Sequence, residues 1–177
     1  MVSLWGASSL IRSVQRATIT LGPAVGTATA TIAAVSLPDS RLVLTGLYNA
    51  GGDTNLYSVA CRVTLTNATT VTADVNSTGA GNREVSFEVI EYAPGVVRSL
   101  QIGTYTTVAS QTGTVAVTAV NTDKSILDNL GFTSNDATTT MANGVFRQVL
   151  TNATTVDGKG YGTITRTAVS YQVVEFF

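Results

Sequence analysis

Along much of this chain, small apolar residues alternate with threonine at a period of two. Residues 17–21 read Ala-Thr-Ile-Thr-Leu, 28–33 read Ala-Thr-Ala-Thr-Ile-Ala, and 113–120 read Gly-Thr-Val-Ala-Val-Thr-Ala-Val. Successive side chains of a strand point to opposite faces, so the pattern predicts half-buried strands. Val85, Phe87 and Val89 fall on one strand face, as do Val169, Tyr171 and Val173, and these six are expected to point inward. Breaks rich in Gly, Asn, Asp and Ser, such as 49–54 and 77–82, separate the runs and read as turns. Residues 125–130 (Ser-Ile-Leu-Asp-Asn-Leu) admit a single helical turn. Short strands with frequent turn signals predict an all-β fold of small β-sandwiches or barrels.

The pattern also repeats. Leu10-Ile-Arg-Ser-Val-Gln15 returns as Val96-Val-Arg-Ser-Leu-Gln101. Leu65-Thr-Asn-Ala-Thr-Thr-Val71 returns unchanged at 150–156, and Val85-Ser-Phe-Glu-Val-Ile-Glu-Tyr92 returns as Val169-Ser-Tyr-Gln-Val-Val-Glu-Phe176. The offsets of 86, 85 and 84 keep the three anchors in order. The expected organisation is an internal duplication: an arm over 1–9, one β domain over 10–92, an Ala-Pro-Gly joint at 93–95, and a second β domain over 96–177 that repeats the first.

Comparing the copies selects residues. Arg12 matches Arg98, Arg62 matches Arg147, and Glu91 matches Glu175. Where charges are scarce, such matches mark either a twice-built site for an anionic ligand or a structural pair. The favoured expectation is that Arg12–Glu91 and Arg98–Glu175 pair where the first and last strands of each unit meet. Glu88 becomes Gln172 in the copy and Cys61 aligns with Phe146, and neither acquires a partner from the sequence.

Composition then narrows the function. Of 177 residues, 12% are charged, about half the usual ~25%. Thirty threonines and 23 valines favour extended backbone. A net charge of -1 with two lysines, Lys124 and Lys159, leaves no basic footprint for nucleic acid. The absence of histidine excludes a His-based triad or a His-ligated metal. Cys61 is alone, which rules out an intrachain disulfide, and it reads as a small buried hydrophobe. Asn-X-Thr triplets at Asn67, Asn76 and Asn152 are what a threonine-rich chain produces by chance. The N-terminal residues lack the pattern of a signal peptide, and no apolar run is long enough to span a bilayer. The expectation is a protein made in a cytosol, with no membrane partner.

The search for chemistry ends in weak signals. The aspartates mostly fall in expected loops, where they are ordinary turn residues. Asp123 and Asp128 with Asn121 and Asn129 suggest calcium but do not follow EF-hand spacing. No carboxylate pair is marked for glycoside hydrolysis, and the glycines of 158–162 lack a phosphate-loop setting. The expectation is a non-enzymatic protein without a cofactor. Leu4 and Trp5, in the segment before the first repeat, are candidates for anchoring a neighbouring subunit or for folding back on the first domain.

Ser-Leu-Ile-Arg-Ser-Val-Gln-Arg at 9–16, the repeated Leu-Thr-Asn-Ala-Thr-Thr-Val, and the closing Val-Ser-Tyr-Gln-Val-Val-Glu-Phe resemble small β-rich virion proteins of tailed bacteriophages. The resemblance spans both repeats. It implies a virion structural protein of a capsid decoration (cement) or tail-fibre accessory type, built into the particle as an oligomer. Its partners would be a major capsid protein or tail proteins and copies of itself, in a trimer or dimer. No binding residue is carried over. The first expectation is a cement protein that stabilises the head by bridging shell subunits through many weak contacts. The alternative is a tail- or fibre-associated adhesin, which exposed aromatics gathered from Tyr48, Tyr57, Tyr105 and Tyr161 would favour.

Overall fold

A computed structural model of the chain describes residues 9–50, 52, 54–76, 79–107, 112–135, 145–160 and 165–177. Its strands are β1 (Ile11–Leu21), β2 (Thr27–Thr31), β3 (Ser40–Asn49), β4 (Cys61–Asn67), β5 (Thr70–Val75) and β6 (Arg83–Tyr92), followed by β7 (Val97–Thr107), β8 (Thr112–Ala116), β9 (Ser125–Ser134), β10 (Phe146–Asn152), β11 (Thr155–Gly160) and β12 (Arg166–Phe176). One helical turn, α1 (Leu56–Val59), precedes β4, and 3-10 turns at Leu37–Asp39 and Thr122–Lys124 precede β3 and β9. The fold is all-β.

The pairing order recurs along the chain. In the first half β1-β6-β3 form one antiparallel sheet and β2-β5-β4 lie together in another. In the second half β7-β12-β9 and β8-β11-β10 repeat that arrangement. Each half is a sandwich whose sheets bury the faces that alternation selected: Val85, Phe87, Val89, Val169, Tyr171 and Val173 all lie in the cores. At 93–95 the chain turns with Val96 N–H donating to the Ala93 carbonyl and Gly95 at φ 81°, a conformation glycine adopts without strain.

Two expected strands stop early for a common reason. β2 ends at Thr31 because Ile32 and Val35 donate to the Thr69 and Ala68 carbonyls at the tip of the β4–β5 hairpin. β8 ends at Ala116 because Val117 and Val120 donate to Thr154 and Ala153 at the tip of β10–β11. Each tip is fixed by an asparagine side chain, Asn67 or Asn152, that accepts from the N–H and hydroxyl of the threonine two residues on. This is the work of the seven residues that recur unchanged.

The expected helical turn over 125–130 is instead the first half of β9, and the helical turn lies just before it at Thr122–Lys124. Leu127 packs into the second core while Leu130 lies in the first. Alternation alone sets Leu130 on the face opposite Leu127, and a bulge then returns Phe132 to the inner face: two β9 residues, Leu130 and Gly131, stand between the pairs Asn129–Tyr171 and Phe132–Val169. β3 carries the equivalent bulge before Gly46.

The halves are not separate bodies. β4 of the first pairs with β9 of the second at Arg62–Gly131, so β2-β5-β4-β9-β12-β7 form one six-stranded sheet. Gly131 has φ 88°, and a Cβ there would run into the Cys61 carbonyl oxygen. Gly131→Ala is expected to lower stability by about 3 kcal/mol, read as the urea midpoint at constant slope, because it combines a left-handed backbone with a backbone clash.

Candidate functional site

The structure brings the paired glutamates and arginines together once in each half. Arg12 Nη1 lies 3.2 Å from Glu91 Oε1, and Arg98 Nη1 lies 3.4 Å from Glu175 Oε1. Both contacts are single rather than bidentate, and the arginine side chains are 64% and 57% exposed. The firmer partners sit behind them. Glu91 accepts from Ser36 N–H at 3.0 Å and Ser13 Oγ at 3.2 Å, while Glu175 accepts from Asn121 N–H at 2.9 Å and Ser99 Oγ at 3.0 Å. Each buried carboxylate therefore ties the loop leading to a 3-10 turn onto the first and last strands of its sandwich. The Asn121 N–H, together with Ser99 and Arg98, holds the Glu175 carboxyl below the ordinary range, against burial, which acts the other way.

A second polar cluster joins the halves. Arg41 on β3 grips Asp128 on β9 with two bonds, Nε at 2.8 Å and Nη2 at 2.6 Å. That grip raises the Arg41 pKa further above its usual value. Gln172 on β12 is fully buried, accepts from Leu42 N–H at 3.2 Å and donates to Asp128 at 3.5 Å. Arg62 reaches Asp74 at 3.2 Å and Ser170 at 3.5 Å. Leu130 inserts into the first core, and Phe132 packs on Leu56, Val59 and Ala60 around α1. Tyr92 and Phe176 close the far end edge to face, with ring centroids 5.3 Å apart. Gln172, which differs from its counterpart Glu88, thus has its partners at the junction, whereas Glu88 lies on the outer face of β6 with Arg16 at 2.6 Å.

Sequence reasoning missed two buried arginines at matching places. Arg83 donates to the carbonyls of Ser58, Gly22 and Val25. Arg166 donates to the Val145 carbonyl and stacks its guanidinium over Phe132 and Phe146, 5.2 and 4.9 Å from the ring centroids. Both guanidiniums bind loop carbonyls at the end of their sandwich. The signal was present as Arg83 and Arg166 two and three residues before the matched Val85 and Val169. The extra residue is absorbed by the bulge between Arg166 and Val169.

The remaining candidates separate. Leu4 and Trp5 lie outside the described residues, as does Tyr161. Tyr105 is buried against Tyr171, and burial pushes its hydroxyl up to about 12, so it does not join exposed Tyr48 in an aromatic cluster. Asp74, Asp128 and Asp157 lie in strands rather than loops, each bonded to a neighbouring side chain. The suggested calcium residues do not converge: Asp128 holds Arg41, Asn121 accepts from Asp123 N–H, and Asn129 accepts from Gly131 N–H. Among the described residues no three metal-ligating side chains gather. Cys61 is buried, and burial raises its thiol to about 11, away from thiolate chemistry at neutral pH. Among the described residues no helix is long and apolar enough to cross a membrane.

What the surface offers is contact area. A shallow groove of about 300 Å³ crosses from one half to the other, lined by Leu37, Pro38, Leu65, Leu100 and Ile102. Exposed apolar side chains also mark two sheet edges, Leu47 and Tyr48 on β3 and Val149 on β10, where Val145 directly precedes the strand. Comparison with protein-family models and with curated proteins finds no match for this chain.

Two outcomes test the polar clusters. Gln172→Glu sets a second carboxylate beside Asp128 in a buried junction and is expected to cost about 3 kcal/mol in urea unfolding. Glu175 contributes stability that is fully present above its unfolded value of about 4.3 and is lost as pH falls through its lower folded value. Urea midpoints taken from neutral to acid pH should therefore drop below that value in the native protein. In Glu175→Gln this acid drop should be shallower and the neutral midpoint lower, whereas Arg98→Ala should cost no more than about 1 kcal/mol.

Proposed function

We propose that this chain is a non-enzymatic structural protein of a bacteriophage virion, a capsid decoration protein that stabilises the head by bridging shell subunits. The observation that carries this reading is exposed surface on a double sandwich: a groove of mixed polar and apolar lining that spans both halves, and apolar side chains along two sheet edges. Surface of this kind is suited to burial against protein neighbours. The internal polar groups are engaged in holding strands and halves together, as structural roles require. Rigid modules with little net charge fit a protein that works through many weak contacts at once. The likeness of the repeated segments to virion proteins supplies the setting, with shell or tail proteins and further copies of the chain as its partners.

Gold-labelled antibody against the protein, applied to particles purified from a lysate of its source and viewed in negative stain, tests this directly. Gold over the heads is the expected result. Gold restricted to tails or fibres overturns the decoration role in favour of a tail accessory, and particles without gold overturn the virion assignment.

A further inference from the structure

The contact between the halves uses a different surface from each. The first half offers the open side where β3 and β4 end its two sheets. The second offers the bulge of β9 and the outer face of β12. Because the halves are built alike, each carries both kinds of surface, and one of each is left over. Burial records which. β4 is buried at Cys61, Val63 and Leu65, whereas the matching β10 positions Phe146, Gln148 and Leu150 are only half-buried. The end of β9 is buried at Leu130, Gly131 and Thr133, whereas Thr45, Gly46 and Tyr48 on β3 are exposed. On β12 the outward Ser170, Gln172 and Val174 are buried, whereas Ser86, Glu88 and Ile90 on β6 are not.

We propose that the chain self-associates head to tail, with the bulge of β3 and the outer face of β6 in one copy docking on the open side between β9 and β10 of the next. The contact repeats the one that joins the halves. This deepens the assembly reading above and rests on it only in taking the chain to be a subunit of something larger.

The residues that differ between the halves suit this second contact. Where Arg41 grips Asp128 inside the chain, the matching positions are Ile126 and Val43, so both charges are replaced together by apolar side chains. Where Ala60 meets Phe132, the matching positions are Val145 and Leu47, which are 66% and 49% exposed in the single chain. Gln172 must be neutral beside Asp128, but its counterpart Glu88 stands opposite Val43 and is under no such constraint.

Charge agrees. Arg62 has Asp74 opposite it across the strand pair, whereas Arg147 has Lys159 opposite, and among the described residues neither Arg147 nor Lys159 makes an ion pair. The transposed contact brings Arg147 to Ser86, which Glu84 and the Arg16–Glu88 pair flank on the same face of β6.

Gly46 is the most direct indication. Its counterpart Gly131 lies against backbone, but a Cβ on Gly46 meets no described atom within 4 Å. Gly46 follows the β3 bulge and leaves room for another backbone to come close. The contact is heterologous, so repeated copies form a closed ring or an open filament according to whether the rotation closes.

Light scattering on the eluate of a sizing column, run with the purified full chain over a range of concentrations, reads the outcome. Native protein is expected to elute as multiples of the 18.3 kDa chain. Gly46→Val blocks the β3 surface, Arg147→Glu blocks the β10 surface, and each alone should elute as monomer, with the unfolding midpoint that native protein shows when diluted to monomer. Mixed, they retain one good surface each and should form a one-to-one dimer and nothing larger. If Gly46→Val proves unstable, Leu47→Arg mixed with Val145→Arg serves in its place, since the two altered surfaces then repel each other. Native protein that stays monomeric overturns the proposal, as does a multimer that survives these substitutions or variants that do not combine. Because this experiment is done without particles, its failure leaves the gold labelling unaffected, and the reverse also holds.

Discussion

The structure depends on Leu130. A sandwich of two three-stranded sheets leaves its core open along the side where β3 and β4 end, and among the described residues Leu130 of the second half joins that core. Leu130, 1% exposed, reaches that core from the second half. It does so because alternation sets it on the outer face of β9 with Asp128, and because Gly131 beside it lets β9 come close to the backbone of Cys61 and Arg62. Burying a leucine is worth about 1.5–3 kcal/mol. Its position matters more than its area, since the same step aligns β4 with β9 and sets Asp128 against Arg41. Ser170, Gln172 and Val174 are covered as a consequence.

Around that contact, the polar groups follow one rule. Buried donors and acceptors cost several kcal/mol when unpaired, and the chain uses the groups that recur in both halves to hold segments that strand pairing does not satisfy. Glu91 and Glu175 hold the loops before the 3-10 turns, and Arg83 and Arg166 take loop carbonyls at the sandwich ends. Gln15 and Gln101 each exchange two hydrogen bonds with the backbone of the next loop, at Ala33 and Thr118. These groups recur because each half meets the same problem. Their recurrence is evidence of folding need rather than of a site used twice, and the anionic-ligand explanation of the matched arginines is not required.

Much of this was legible beforehand, and the exceptions have physical causes. Period-two alternation found the inward faces of β6 and β12, because residues buried on one face of a strand must alternate. The residues around 125–130 misled, because Ile126, Leu127 and Leu130 fit a helical spacing. They are strand residues on alternating faces with different surroundings, and a bulge begins at the third. Arg83 and Arg166 escaped because the same device, a one-residue bulge, shifts their spacing from the matched valines. The junction escaped for a deeper reason. Comparing copies retains what each half needs for itself, whereas Asp128, Gln172 and Leu130 do what only one copy does. Their counterparts Val43, Glu88 and Thr45 differ because the surroundings differ.

That division also explains how one chain can carry two versions of a single contact without confusing them. The internal version has buried a charge pair and an amide, groups that are costly to leave unpaired, so the halves do not readily part once they have met. It forms first, since a three-residue joint holds the halves at an effective concentration on the order of millimolar. The leftover version carries Val43 and Ile126 in place of the charge pair, with its charged groups at solvent-facing positions. Such surfaces tolerate water and still attract each other at long range. Exchanging the two sets would leave an unpaired buried charge at one contact or a missing grip at the other, and this discriminates against domain swapping between copies. Under the proposed self-association, a chain arranged in this way folds as a unit and assembles afterwards.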